Sequence, residues 1–241
     1  MKKRLIVYID GYNWYHAIFK RHPEWKWLNI NSFFKALRPH EDVVAIKMFS
    51  ALVVPTAEDP SARERQERYF RALRTLPGVE VILGVFQPRE VQCRAVCLQR
   101  YTFQEEKKTD VNIAVEILSD AFQDRSDAIC VVSGDSDVQP AIEWVARNKP
   151  QVGIYLYIPS LPSDQSARRL DYFKTKGFKG VSCSFLPLEA IPQHQLRNCV
   201  QLPDKTFASS SPSGLARRTP SIPNQTNTTS APDHTRANPR I

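Results

Sequence analysis

The chain has 241 residues, of which 42% are hydrophobic and 24% are charged, as is usual for a folded globular domain. It has no run of about 18 apolar residues, and the apolar stretch behind its basic start ends after five residues at Asp10, which is too short for a signal peptide. We therefore expect a cytoplasmic protein with reduced cysteines and no membrane contact, and the net charge of +8 favours a polyanionic partner.

Short apolar strands alternate with helical segments in the first half of the chain. Residues 4–9 (RLIVYI) predict a buried strand that ends at Asp10, and a helix follows it through about Lys20. A second strand is predicted over 43–54, a helix begins at Asp59 and Pro60 and stops at Pro77, and a third strand covers 79–87. Strands that alternate with helices in this way predict an α/β fold, with helices on both faces of a mainly parallel sheet.

The stretch 88–104 has a weaker pattern. Cys93 and Cys97 have the spacing of half a zinc site, but the chain offers no clear second half. Alternating apolar residues favour a small hairpin or an irregular strand beside the main sheet.

The second half of the chain repeats the alternation. Thr109 is expected to cap a helix that carries Asp110 in its first turn, where the helix dipole favours an anion. Residues 129–132 form the next strand, followed by a helix over 138–148, a strand over 152–158, a helix over 163–173 and a strand over 180–186. From about residue 201 the composition shifts to Ser, Thr, Pro and Asn, so we divide the chain into a domain at 1–200 and a disordered tail at 201–241.

Two carboxylates follow the strand at 129–132 within the turn 133–137 (SGDSD). One of them could cap the next helix, but a single cap would not explain both Asp135 and Asp137. The carboxyl ends of parallel strands meet at one edge of a sheet, so these side chains are expected to lie near Asp10 and Asp110. Such a cluster of oxygen ligands is the kind that Mg²⁺ or Mn²⁺ occupies.

Three segments of the sequence together resemble one family. The segments 10–13 (DGYN), 107–112 (KKTDVN) and 133–137 (SGDSD) are similar to the motifs of the NYN domain family, and most closely to its bacterial LabA-like branch. The resemblance covers about residues 3–205. It implies a PIN-like three-layer α/β fold and a metal-dependent ribonuclease, and it assigns the acidic catalytic and metal-binding roles to Asp10, Asp110, Asp135 and Asp137, with support from Asn13 and Ser133.

The leading hypothesis is an endoribonuclease that prefers single-stranded RNA and uses Mg²⁺ or Mn²⁺. Five basic side chains are candidates for contacts with the RNA backbone, namely Lys107, Lys108, Arg168, Arg169 and Lys174. One alternative is an RNA-binding or regulatory module with little turnover, whose tail docks a protein partner. Another takes 134–137 as a DxD sugar-nucleotide site, although it leaves Asp10 and Asp110 without a role. The sequence leaves open whether the chain forms a homo-oligomer.

Overall fold

The apolar segments of the chain form the strands of an α/β fold in the residues that the computed structural model describes, 1–92, 100–160 and 180–210. In chain order these strands are β1 (Lys3–Asp10), β2 (Glu41–Ser50), β3 (Val79–Leu83), β4 (Val85–Gln92), β5 (Arg100–Lys107), β6 (Ala128–Val132), β7 (Gly153–Ile158), β8 (Val181–Phe185), β9 (Cys199–Gln201) and β10 (Phe207–Ser209). The α-helices are α1 (Gly11–Trp14), α2 (Ile30–Leu37), α3 (Ala62–Leu73), α4 (Thr109–Phe122) and α5 (Gln139–Asn148). Helix α1 continues as a π-helical turn at Tyr15–Phe19, and 3₁₀ turns lie at Pro23–Trp25 and Leu188–His194.

Six of these strands form one parallel sheet in the order β3-β2-β1-β6-β7-β8. Strand β1 shows how the sheet is covered, because its side chains alternate between two cores. Leu5, Val7 and Ile9 pack with α1, α2 and α3, whereas Ile6 and Tyr8 pack with α4 and α5. The predicted α/β fold with a parallel sheet and helices on both faces is therefore confirmed, and it is consistent with a PIN-like sandwich.

Strand β1 has neighbouring strands on both sides. Strands β2 and β3 lie on one side of β1, and β6, β7 and β8 lie on the other, so the strand order reverses between β1 and β6. In open α/β sheets ligands bind in the crevice at such a switch point, outside the carboxyl ends of the strands. The register pairs Ile9 with Val132, and the residues that follow them, Asp10 and Ser133, are consequently neighbours at this edge.

The predicted third strand over 79–87 is wrong in one respect, because the structure splits it at Gly84 into β3 and β4. A Cβ atom at Gly84 would lie 2.6 Å from the Thr109 hydroxyl oxygen and 2.7 Å from the Lys107 carbonyl oxygen, so only glycine fits this close crossing. Beyond Gly84 the chain leaves the main sheet, and β4 pairs with β5 as an antiparallel ribbon. This ribbon is the hairpin that the sequence favours, while Cys93 and Cys97 lie outside the described residues.

The carboxyl-terminal part of the described chain folds as a small hairpin. Strands β9 and β10 pair antiparallel, and Leu202 and Ala208 are buried in a cluster with Ala72 of α3. Residues 201–210, which the composition assigns to the tail, therefore belong to the fold. Residues 211–241 and the predicted helix at 163–173 lie outside the described residues, and the disordered tail stays a prediction there.

In the described part of the chain, no helix has both the length and the apolar character needed to cross a bilayer.

Candidate active site at the carboxyl ends of β1 and β6

Asp10 is the last residue of β1, and its carboxylate is buried with an exposed fraction of 3%. Oδ1 accepts a hydrogen bond from the backbone N–H of Asn13 at 2.9 Å, which makes Asp10 the N-cap of α1. Oδ2 accepts a hydrogen bond from the hydroxyl of Ser133 at 2.8 Å, across the junction of β1 and β6. Two separate segments of the sequence thus fix the orientation of this carboxylate.

Gly11 lets α1 begin directly against β2. A Cβ atom at this position would lie 2.6 Å from the Phe49 carbonyl oxygen and 2.9 Å from the Met48 Cε atom. Because the Phe49 carbonyl is part of a strand and cannot move aside cheaply, a larger residue would displace the turn that holds Asp10. The glycine of the first motif is therefore required by packing beside the site.

Asn13 joins the first motif to the third. Its side-chain oxygen accepts a hydrogen bond from the backbone N–H of Gly134 at 2.9 Å. Asn is a common N-cap residue, but this one does not cap α1. The cap is in fact Asp10. The supporting position of Asn13 thus lies between two loops, and it fixes the turn at 133–137 onto α1.

The turn at 133–137 is held by hydrogen bonds of its own. The Ser133 hydroxyl accepts from the N–H of Asp135 at 2.9 Å, and Oδ1 of Asp135 accepts from the N–H of Asp137 at 3.1 Å. Helix α5 begins only after Val138, and no side chain caps it. Helix capping therefore explains neither Asp135 nor Asp137, although Asp135 also stabilises the turn through its bond to Asp137.

Asp110 lies in the first turn of α4, as the sequence predicts, but Thr109 is not the N-cap. The cap position is occupied by Lys108, whose φ of 77° is left-handed, and Thr109 is the first helical residue. The buried Thr109 hydroxyl donates instead to Oε1 of Glu106, the penultimate residue of β5. This contact holds Glu106 against the amino end of α4.

Electrostatic interactions link the carboxyl groups at this edge of the sheet. Burial, as the main cause, raises the pKa of Asp10 to about 6, with further contributions from the charges of Asp110 and Asp135. Burial also raises the pKa of Asp110, and the charges of Asp135 and Asp137 add to the shift. Asp110 is therefore coupled to each of the other three Asp side chains, and Asp10 is also coupled to Asp135.

Glu106 is a member of this cluster that the sequence interpretation missed. Burial raises its pKa to about 7, against the opposing hydrogen bond from Thr109, and the charges of Asp10 and Asp110 raise it further. Its neighbour Glu105 instead pairs with Arg89 and Lys107. A strand places adjacent residues on opposite faces, so the pair Glu105-Glu106 at the end of a predicted strand was the available signal that one of the two faces the site.

Of the five basic residues predicted to contact RNA, two lie in the described part of the chain. Lys107 is 45% exposed, and its Nζ lies 3.0 Å from Oε2 of Glu105. Lys108 is exposed at the start of α4. Arg168, Arg169 and Lys174 lie outside the described residues.

Carboxylate oxygens are the donors that Mg²⁺ and Mn²⁺ prefer, so the chemistry of the cluster fits such a cation. Across residues 1–92, 100–160 and 180–210, however, no three His, Cys, Asp or Glu side chains are close enough together to form a preformed metal site. Burial, and in addition the charges of neighbouring carboxylates, raise the pKa values of Asp10 and Asp110, and a bound cation would stabilise their ionised forms.

The chain is similar to known proteins. The model of the NYN domain matches residues 4–175. The chain is 28% identical over 195 residues to 6-hydroxy-3-succinoylpyridine 3-monooxygenase HspA of Pseudomonas putida (strain DSM 28022 / S16), a match that covers 68% of this chain and spans only 62% of that relative. The crystal structure of a protein of unknown function from Vibrio parahaemolyticus RIMD 2210633 has the same fold, with a TM-score of 0.50 and 18% identity over 81% of this chain and 97% of that one. The chain belongs to the NYN domain family, a family of PIN-like nucleases.

Proposed function

We propose that this protein is a metal-dependent endoribonuclease that hydrolyses phosphodiester bonds in single-stranded RNA. The observation that carries the proposal is the convergence of Asp10, Asp110 and Asp135, which belong to three separate motifs, at the switch point of the sheet. Asp10 caps α1, but a cap does not account for the electrostatic coupling by which these groups raise one another's pKa. RNA is the substrate that NYN membership suggests, and the net charge of +8 suits a polyanion.

Asp10, Asp110, Asp135 and Asp137 would hold Mg²⁺ or Mn²⁺. Each oxygen of Asp10 accepts one described hydrogen bond, which leaves a second lone pair on each for a cation. When bound, the cation supplies polarisation of a phosphoryl oxygen and a lower pKa for a water molecule.

The other groups of the site have positioning and proton-transfer roles in this proposal. Ser133 and Asn13 orient the carboxylate of Asp10 and the turn that carries Asp135. Glu106 has a pKa of about 7, which suits the exchange of a proton with water near neutral pH. Asp110 binds the cation or orients the attacking water from the first turn of α4.

The test is cleavage of an end-labelled single-stranded RNA by the purified full-length chain in Mn²⁺. We expect cleavage that EDTA stops and that Asp135→Asn reduces by at least 100-fold. The matched control is Asp42→Asn, because Asp42 is exposed at the amino end of β2, at the opposite edge of the sheet. Cleavage that survives both EDTA and Asp135→Asn would come from a contaminant and would refute the proposal.

The competing hypotheses give different results with the same preparations. An RNA-binding module without turnover predicts gel shifts that persist while no cleavage occurs in Mg²⁺, Mn²⁺ or Ca²⁺. The name of the Pseudomonas relative describes oxidation of a hydroxypyridine. Conversion of 6-hydroxy-3-succinoylpyridine in the presence of oxygen and a reductant, without RNA cleavage, would favour that reaction class over hydrolysis.

A further inference from the structure

Three aromatic rings form a cluster on the surface next to the acidic site. The ring of Tyr12 lies 4.4 Å from the ring of His16 and 6.5 Å from the ring of Phe86, measured between centroids. Tyr12 is 46% exposed, His16 is exposed and Phe86 is partly buried. The aromatic cluster therefore presents ring surface to solvent rather than to the core.

The local backbone explains why these rings face outward. Tyr12 and His16 are four residues apart and share one face of the helical segment. The segment continues as a π-helical turn, in which the N–H of Lys20 donates to the carbonyl oxygen of Tyr15 at 2.8 Å. Trp14 and Ile18 remain buried on the opposite side of this turn. Single π-helical turns are frequent at functional sites, because the additional residue changes the direction in which side chains point.

Two elements of the fold place the aromatic cluster beside the carboxylates. Tyr12 follows Asp10 by two residues. Phe86 lies directly opposite Glu106 in the register of the β4–β5 ribbon, and residues that are paired in this way have their side chains on the same face. The charges of Asp10 and Glu106 are coupled in turn. The rings thus lie beside the place where the phosphodiester bond would be cut.

Cationic groups continue the surface beyond the rings. Tyr15 packs edge-on against His16 at 5.3 Å, and Nζ of Lys26 lies 5.1 Å from the centroid of the Tyr15 ring. Burial lowers the pKa of His16, and the charge of Lys20 lowers it further, which favours a neutral imidazole in neutral solution. Aromatic rings followed by basic side chains are the combination with which proteins bind single strands, by stacking on bases and pairing with phosphates.

We propose that Tyr12, His16 and Phe86 form a stacking subsite for an unpaired nucleobase of the RNA, next to the phosphate that is cleaved. The inference rests on the proposed function for the identity of the substrate. It adds a physical basis for the preference for single strands, because a base in a duplex is already stacked and cannot stack on the exposed ring surface of this cluster.

The experiment measures binding alone, in the Asp135→Asn background with Ca²⁺, by fluorescence anisotropy. Two labelled oligonucleotides of equal length are compared, one with bases and one abasic, so that the number of phosphates is the same. Tyr12→Ala and Phe86→Leu remove a ring, Tyr12→Phe keeps it, and Phe122→Ala removes a ring that is 74% exposed at the far end of α4.

We expect the oligonucleotide with bases to bind more tightly than the abasic one. Tyr12→Ala and Phe86→Leu should each weaken the binding of the first by on the order of tenfold and leave the second unchanged, since one stacked base contributes an effect of that size. Tyr12→Phe and Phe122→Ala should behave like the parent chain.

Equal losses on both oligonucleotides, or no loss on either, would overturn the subsite. If the native chain cleaves RNA but the two oligonucleotides bind equally tightly, the subsite fails and the proposed function stands. If binding depends on the bases and on Tyr12 while no metal supports cleavage, the subsite stands and the nuclease assignment fails.

Discussion

The side-chain oxygen of Asn13 lies 2.9 Å from the backbone nitrogen of Gly134, although the two residues are 121 positions apart in the sequence. This hydrogen bond joins the loop after β1 to the loop after β6. Together with the bond from Ser133 to Asp10, it sets the distance between the carboxylates of the first and third motifs. The geometry of the site therefore depends on an amide that carries no charge.

Asn13→Ala should lower cleavage by tenfold or more. The variant leaves the buried N–H of Gly134 without its described partner, which costs about 1–3 kcal/mol of unfolding free energy, and it frees the turn that holds Asp135. Urea unfolding and the cleavage rate in Mn²⁺ measure the two effects. Asn148→Ala is the control, because Asn148 is exposed at the end of α5 and its side chain donates to the carbonyl oxygen of Trp144 in the same helix. A stability loss with an unchanged cleavage rate would contradict the positioning role.

The parts of the site that follow from local pattern could be predicted from the sequence. Asp10 directly follows a short apolar run, Asp135 lies in the turn behind another, and Asp110 lies in the first turn of an amphipathic helix. Strand direction in a parallel sheet then brings the strand ends to one edge, with no knowledge of individual contacts. That is why the six parallel strands, and the positions of Asp10 and Asp135 behind two neighbouring strands, could be predicted before the structure.

The contacts that depend on distant partners could not be predicted. Asn13 has the local appearance of a helix cap, and its true partner is decided only when β1 and β6 pair. Glu106 faces the site because the β4–β5 ribbon has one particular register, and the apolar pattern of 88–104 does not specify that register. Thr109 is not the cap because the left-handed backbone of Lys108 starts the helix one residue earlier, so Thr109 is already helical.

Glu106→Gln should stabilise the protein in a pH-dependent way. The folded state raises the pKa of Glu106 from 4.5 to about 7, so between these values it binds more protons than the unfolded state. Stability therefore falls as pH rises through this interval, and the full penalty is present above pH 7. Glutamine stays neutral and still accepts a hydrogen bond from Thr109, so the Tm gain should be largest near pH 8 and vanish near pH 4.5.

Asp127→Asn provides the control of opposite sign. The hydrogen bond and charge of Arg4 lower the pKa of Asp127 to about 2, and this stabilisation is present above the ordinary pKa of 3.8 and lost as pH falls through 2. Its replacement should lower the Tm by a constant amount between pH 5 and pH 8. A Tm gain for Glu106→Gln that does not change with pH would show that the charge of Glu106, raised in energy by burial and by the neighbouring carboxylates, is not the cause.

Mn²⁺ should raise the Tm of the native chain at pH 7.5, and EDTA should reverse the rise. A ligand that binds only the folded state at 100 times its Kd adds about 2.7 kcal/mol of stability. Asp10→Asn should remove most of this response, because it takes away a buried carboxylate at the centre of the cluster, whereas Asp42→Asn should keep it. An equal Tm rise in all three proteins would indicate binding elsewhere on the chain.

Lys47→Met should destabilise the fold by about 3–5 kcal/mol, the usual cost of removing one partner from a buried ion pair. Nζ of Lys47 lies 2.6 Å from Oδ2 of Asp120 and 2.6 Å from Oε2 of Glu116, and the Asp120 side chain is fully buried. These bonds tie α4, which carries Asp110 at its other end, to the centre of β2.

Urea unfolding measures this cost, and the exposed Lys35→Met, on α2, is the control that should change little. The penalty comes mainly from the buried charge of Asp120, which keeps the Tyr8 hydroxyl at 2.7 Å and the half-exposed guanidinium of Arg125 at 3.0 Å but loses its buried cation. Adding Asp120→Asn to Lys47→Met should therefore recover part of the lost stability, since the two residues act as one unit and their effects do not add. If the double variant is as unstable as the sum of the single variants, the lysine stabilises α4 through packing of its alkyl chain and not through its charge.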